Sequence, residues 1–151
     1  MRKIIAMLFC VMLLAAVPAM AARIFDGYAG LKWGTNVHTV MKTYKKGQMA
    51  EFGGEMIYKQ TKPNKIIARR IFGFKKGKLN SVTVTFAADY VKKVGLENVL
   101  AEHVKVYGQG KMDNAQAPHM LFYAWEGKNT RLRFIYAPKR PDMTALMYEQ
   151  K

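Results

Sequence analysis

Two stretches with the same layout set the terms on which this chain can fold. The first is Phe72-Gly-Phe-Lys-Lys-Gly-Lys-Leu-Asn-Ser-Val-Thr-Val-Thr-Phe86. The second is Tyr123-Ala-Trp-Glu-Gly-Lys-Asn-Thr-Arg-Leu-Arg-Phe-Ile-Tyr136. Each is aromatic-x-aromatic, then a short polar turn with glycine, then alternating apolar and polar residues. A period of two puts every second side chain on one face of a strand, so each stretch reads as a β-hairpin with one buried face.

The remaining segments arrange themselves around these hairpins. Residues 23–35 read as a short edge strand or extended arm ending in a tight turn. A helix is expected from about Asn36 to Lys46, because Val37, Val40, Met41 and Tyr44 share one helical face. Lys42, Lys45 and Lys46 suit the negative end of its dipole, and Gly47 suits its stop. Strands are expected at 55–61, 65–75 and 79–87, with a turn at Lys62-Pro-Asn-Lys65 and a bulge near Arg69 and Arg70 to repair imperfect alternation. Residues 89–94 read as a link with one irregular helical turn. A second helix spans Leu96 to Tyr107, a polar loop follows to Pro118, and strands are expected at 119–126, 130–137 and 143–149. The expected fold is α+β: a two-layer sandwich in which an antiparallel sheet of about six or seven strands carries two helices on one face. It would consist of two β-rich pseudo-repeats, about 31–88 and 95–150, each a helix plus three strands. A helix followed by a hairpin is common, and chance accounts for the same similarity.

Residues 1–21 read as a signal peptide. Arg2 and Lys3 precede an uncharged run from Ile4 to Val17, then Pro18 and the small-x-small site Ala19-Met20-Ala21. The alternative is an uncleaved anchor, but the run is shorter than the ~20 residues that span a bilayer. Cleavage after Ala21 would deliver residues 22–151, a single domain, to the periplasm or the extracellular space, with no stable membrane span. Cys10 is the only cysteine. The mature chain would therefore have neither a disulfide nor a thiolate metal site.

Charge is the strongest compositional feature. The chain has 25 Lys and Arg against 10 Asp and Glu. Without Arg2 and Lys3 the net charge is +13. Such a chain is drawn to polyanions. Outside the cytoplasm these are phospholipid headgroups, lipopolysaccharide, teichoic acids and acidic polymers, with nucleic acid a lesser prospect. A generally basic proteome or a solubility device would produce the same excess.

No catalytic, metal or cofactor motif stands out. His38, His103 and His119 are not spaced to converge on one helix face, and no carboxylate completes a set with them. Glu51 and Glu55 are separated by Gly53-Gly54, and Glu97 and Glu102 diverge on their helix, so no glycosidase pair is visible. Ser81, the only serine, is mid-strand. The candidate site is instead a surface: Arg131 and Arg133 on one strand, Arg69, Arg70 and Lys75 on the matched strand of the other unit, with Tyr123 interleaved. If one sheet face lacks helices, these residues would form a basic, partly aromatic platform for phosphate- or carboxylate-bearing partners. An ordinary solvated face is the plainer account. The expected function is an exported, non-enzymatic binding or envelope-associated module whose partner is an anionic envelope component or another envelope protein. The alternative is a small secreted phosphodiester hydrolase using the histidines.

Gly30-Leu-Lys-Trp-Gly-Thr35, followed by a helix ending at Tyr44 to Gly47 and then a curved sheet, resembles the BamE/SmpA and β-lactamase-inhibitor-protein-like group of small envelope domains. The resemblance implies helices packed on an antiparallel sheet and a protein-binding role in the envelope. It covers about half of the mature chain. The chain departs from the pattern in having no lipobox cysteine and in showing the helix–sheet unit twice, so no functional residue is carried over.

Overall fold

The computed structural model describes residues 24–151 other than Gln116. The expected signal peptide, with Cys10, lies outside the described residues. A small hairpin, β1 (Gly27–Tyr28) and β2 (Leu31–Lys32), opens the chain and leads to helix α1 (Val37–Thr43). Four strands follow: β3 (Gln48–Phe52), β4 (Glu55–Thr61), β5 (Ile67–Lys75) and β6 (Lys78–Phe86). Helices α2 (Ala88–Val94) and α3 (Leu96–Tyr107) precede four more: β7 (Lys111–Asp113), β8 (Leu121–Glu126), β9 (Thr130–Ala137) and β10 (Arg140–Gln150). These eight strands form one antiparallel sheet in the order β3-β4-β5-β6-β10-β9-β8-β7.

The fold is α+β as expected, with three helices and eight strands in place of two helices and six or seven strands. The extra strands are β3 and the short β7, which lies in the stretch read as a polar loop. The extra helix is α2, in the stretch read as a link. Gly95, at φ 89°, separates α2 from α3. Helix α1 is shorter than expected for a local reason. The Tyr58 hydroxyl donates to Tyr44 O at 2.7 Å and accepts from Gly47 N at 2.8 Å. These contacts draw the backbone out of the helix, and Lys46 turns at φ 64°. At the other end Asn36 Oδ1 accepts from Thr39 N at 2.9 Å and caps the helix. The expected irregularity in β5 is a register shift between Ile67 and Arg69, with a second between Gly73 and Phe74.

The register sorts the side chains by face. Tyr58, Phe72, Val82, Tyr148, Leu132 and Trp125 follow one another across the sheet on one side. On this side Val40 of α1 packs with Tyr28, Tyr58 and Phe72. Val91 of α2 and Val99 of α3 pack with Phe86, Phe134 and Leu146. All three helices and the β1–β2 hairpin therefore cover one face, and among the described residues nothing covers the other.

The opening segment is locked to the far half by Thr130, which is fully buried. Its hydroxyl accepts from Trp33 Nε1 at 2.8 Å and donates to Phe25 O at 3.1 Å. Replacing it with the isosteric valine leaves the indole N–H without its acceptor. Thr130→Val should lower stability by about 1–3 kcal/mol in urea unfolding. Thr83→Val, on the uncovered face, should change it by less than about 0.5 kcal/mol. Equal effects would mean that the lock contributes nothing.

Candidate functional site

Positive charge is unevenly divided along the chain. Residues 24–86 hold twelve Lys and Arg against three Asp and Glu, a net +9. Residues 87–151 hold ten against seven, a net +3. The ion pairs follow the same division. Among the described residues they join Lys105–Glu102, Arg131–Glu126, Arg133–Glu149, Arg140–Asp142 and Lys151–Glu126, all in the C-terminal half.

Within the N-terminal half six of the twelve cations gather at one end of the sheet, while Lys75, Lys76 and Lys78 stand at the other, around the β5–β6 turn. Glu51 and Glu55 flank the β3–β4 turn. Lys45, Lys46, Lys59, Lys62, Lys65 and Arg69 lie toward the opposite end, around the β4–β5 turn. A 220 Å³ depression there is lined by Lys45, Lys46, Gln60, Thr61, Lys62 and Pro63. A second, of 330 Å³, shares Thr61 and adds Lys59, Arg69, Thr85 and Asp142.

The backbone beneath these side chains is fixed. Lys62 has φ 47°, and its N–H donates to Ala68 O at 2.7 Å. Asn64 Oδ1 accepts from Ile66 N and Ile67 N at 2.9 and 2.8 Å, closing the turn. Buried Gln60 donates to Lys45 O at 2.6 Å and accepts from Arg70 Nη1 at 2.9 Å. Arg70 in turn donates through Nε to the Tyr28 hydroxyl at 3.1 Å and lies 4.9 Å from the Tyr44 ring centroid. Burial holds the Tyr28 phenol above its usual range, against the lowering influence of Arg70. Arg70 therefore anchors the support of the lysine loop. It is not part of an exposed platform.

The structure divides the sequence-derived platform. Arg69, Lys75, Arg131 and Arg133 lie on the uncovered face. Arg70 and Tyr123 lie on the helix side, which corrects their assignment to the surface. The buried Tyr123 hydroxyl accepts from Gly110 N at 2.9 Å. Six residues of strand, about 20 Å, separate Arg69 from Lys75. Arg133 Nη2 donates to both Glu149 carboxylate oxygens, at 2.7 and 2.8 Å, and Arg131 Nε donates to Glu126 at 2.8 Å. Hydrogen bonds from Lys151 and then Arg131 hold Glu126 below the usual carboxylate range. Arg69 alone of the six belongs to the basic end. Lys59 and Gln60, which sequence reasoning passed over, belong there too. The signal for Gln60 was a polar residue on the apolar parity of β4.

The histidines do not gather. His38 is exposed on α1. His103, on α3, packs against Phe86 and Phe134, with Nδ1 2.7 Å from Val99 O. His119 is exposed in the loop before β8. Among the described residues no three His, Cys, Asp or Glu side chains are grouped to hold a metal ion, and no helix is long and apolar enough to cross a membrane.

No family model and no curated protein matches the chain. Among solved structures it is similar to a DUF4309 family protein (YjgB) from Bacillus subtilis subsp. subtilis str. 168. The identity is 11%, the TM-score is 0.45, and the match covers 82% of this chain and 84% of that one. Similarity at this level assigns no function.

Gln60→Ala would leave Arg70 Nη1 and the Lys45 carbonyl without their partner. It should cost about 1–3 kcal/mol in urea unfolding and speed amide exchange in residues 44–48. Unchanged exchange there would show that the lysine loop is held by something else.

Proposed function

We propose that the protein is an exported, non-enzymatic binding module that engages an anionic partner through the basic end of its N-terminal half. The observation that carries this reading is the confinement of ion pairs among the described residues to the C-terminal half. An excess of lysine serving solubility alone has no reason to leave one half neutralised and the other not. Cations that form no ion pair among the described residues, gathered around shallow depressions where Asp142 is the one lining carboxylate, attract carboxylate, phosphate or sulfate groups. The signal-peptide pattern at residues 1–21 and the resemblance to small envelope domains support the compartment. The two halves, each containing a helix followed by an antiparallel meander, are read as related units of which the first carries the recognition charge.

The test separates location from total charge, with heparin as the anionic probe. One variant carries Lys45→Gln, Lys46→Gln, Lys62→Gln and Arg69→Gln. The control carries Lys93→Gln, Lys105→Gln, Lys111→Gln and Lys128→Gln, with the same net charge. The first should lose about tenfold or more in affinity, at a few tenths to 1 kcal/mol per exposed charge, and the control less than about threefold. Equal losses would reduce the interaction to net charge and overturn the proposal.

A further inference from the structure

Strand β3 is an open edge without the usual protections. It ends the strand order, all five of its residues are exposed, and its pairing with β4 runs without a shift from Gln48 to Phe52. Natural edges avoid pairing by being short, by carrying lysine or proline, or by bulging. The opposite edge obeys this: β7 is three residues, Lys-Met-Asp. Strand β3 reads Gln-Met-Ala-Glu-Phe, with no lysine, no proline and no bulge, and Glu51 is its one charge. It also displays apolar side chains. Phe52 is 77% exposed and Met49 38%, and Met56, diagonal to Met49 on β4, is 42% exposed.

The turn determines which backbone groups are free. Gly53 and Gly54 have φ of 60° and 80°, as in a two-residue type I′ loop. The residues flanking such a loop, Phe52 and Glu55, form a hydrogen-bonded pair, and such pairs recur at every second position. Gln48, Ala50 and Phe52 therefore direct their amides and carbonyls to β4. Met49 and Glu51 direct theirs outward.

The geometry points to an extended acidic segment of another polypeptide that adds to β3 as a ninth, antiparallel strand. This rests on the anionic-partner reading and specifies the partner's chemistry. The charge at the end of β3 selects it. Lys45 and Lys46 immediately precede Gly47 and β3, on backbone pinned by Tyr58 and Gln60. An antiparallel strand passes Phe52 first and leaves past Gln48, so its carboxylates follow its paired stretch and meet these lysines. Its alternating side chains lie beside Met49 on the helix side and beside Ala50 and Phe52 on the uncovered side. A second copy would instead bring two halves of net +9 together.

The probes are a synthetic peptide of ten alternating threonines and valines followed by three glutamates, and the same composition with the glutamates first. With the full mature chain, the glutamate-last peptide should slow exchange of the Met49 and Glu51 amides at least tenfold and bind at least tenfold tighter than the other. Met49→Pro removes an outward amide and leaves the β4 ladder intact. It should weaken that binding at least tenfold while heparin affinity holds. Met49→Asp, which keeps the backbone donor but adds a like charge, should weaken it as well. Equal binding by both variants and the unmodified chain would overturn the inference and leave the anionic-partner reading standing. So would equal binding of the two peptides. Protection of Met49 and Glu51 that rises with protein concentration alone would overturn it in favour of a second copy.

Discussion

The pairing of β6 with β10 is the contact on which the rest of the molecule depends. Residues 81–85 run antiparallel to 149–145 and join two four-stranded meanders into one sheet. The parity of this pairing decides what is buried. Val82 and Val84 stand beside Tyr148 and Leu146 under the helices, while Ser81 and Thr83 stand beside Glu149 and Met147 on the uncovered side. A slip of one residue would exchange these sets. Tyr148 packs against both hydrophobic cores, 5.0 Å from the Tyr28 ring and with its hydroxyl 3.5 Å from that of Tyr107. Burial pushes its phenol well above the ordinary range, so it stays neutral and bridges the two halves as an aromatic with a hydroxyl tip.

Among the described residues all helices lie on one side and nothing covers the other face of the sheet, and a surface of that kind invites the idea of a cationic platform. The side chains there are more balanced. Glu149 and Glu126 neutralise the two arginines of β9, and the largest group of cations without an ion pair among the described residues sits at the end of the sheet near the β4–β5 turn. Along the β3–β4 edge charge runs from Glu51 and Glu55 at one turn to the lysines at the other, which is more informative than polarity between faces. The same axis places the lysines at the start of an unprotected edge strand.

Much of the framework was legible because period-two alternation has a single physical cause. The stretches 72–86 and 123–136 are hairpins as read, and α3 has the expected bounds. Strand β3 was missed because Gln-Met-Ala-Glu-Phe neither alternates nor favours strands, although Gly53-Gly54 is a hairpin signal. Helix α2 was missed because seven residues carry too little periodicity to separate helix from link. Arg70 shares the parity of core aromatics, which suggested a flaw in the strand. A register shift does lie beside it, but Arg70 itself keeps that parity as a cation against Tyr28 and Tyr44, and only the tertiary fold supplies those rings. Tyr123 had the core parity of β8 and was placed on the surface because its hydroxyl partner, Gly110 N, lies in a different segment. The two echoing hairpins are β5–β6 and β8–β9, which hold different ranks in their meanders.

The central claim is that the uncompensated positive field of the sheet belongs to its N-terminal half and is strongest around the β4–β5 turn. Paramagnetic relaxation of amide protons by anionic and by cationic nitroxide cosolutes measures that field residue by residue. The account predicts strong preference for the anionic probe at residues 45–47 and 59–69, and little preference at 121–136 and 144–151. A preference spread evenly over both halves would contradict it.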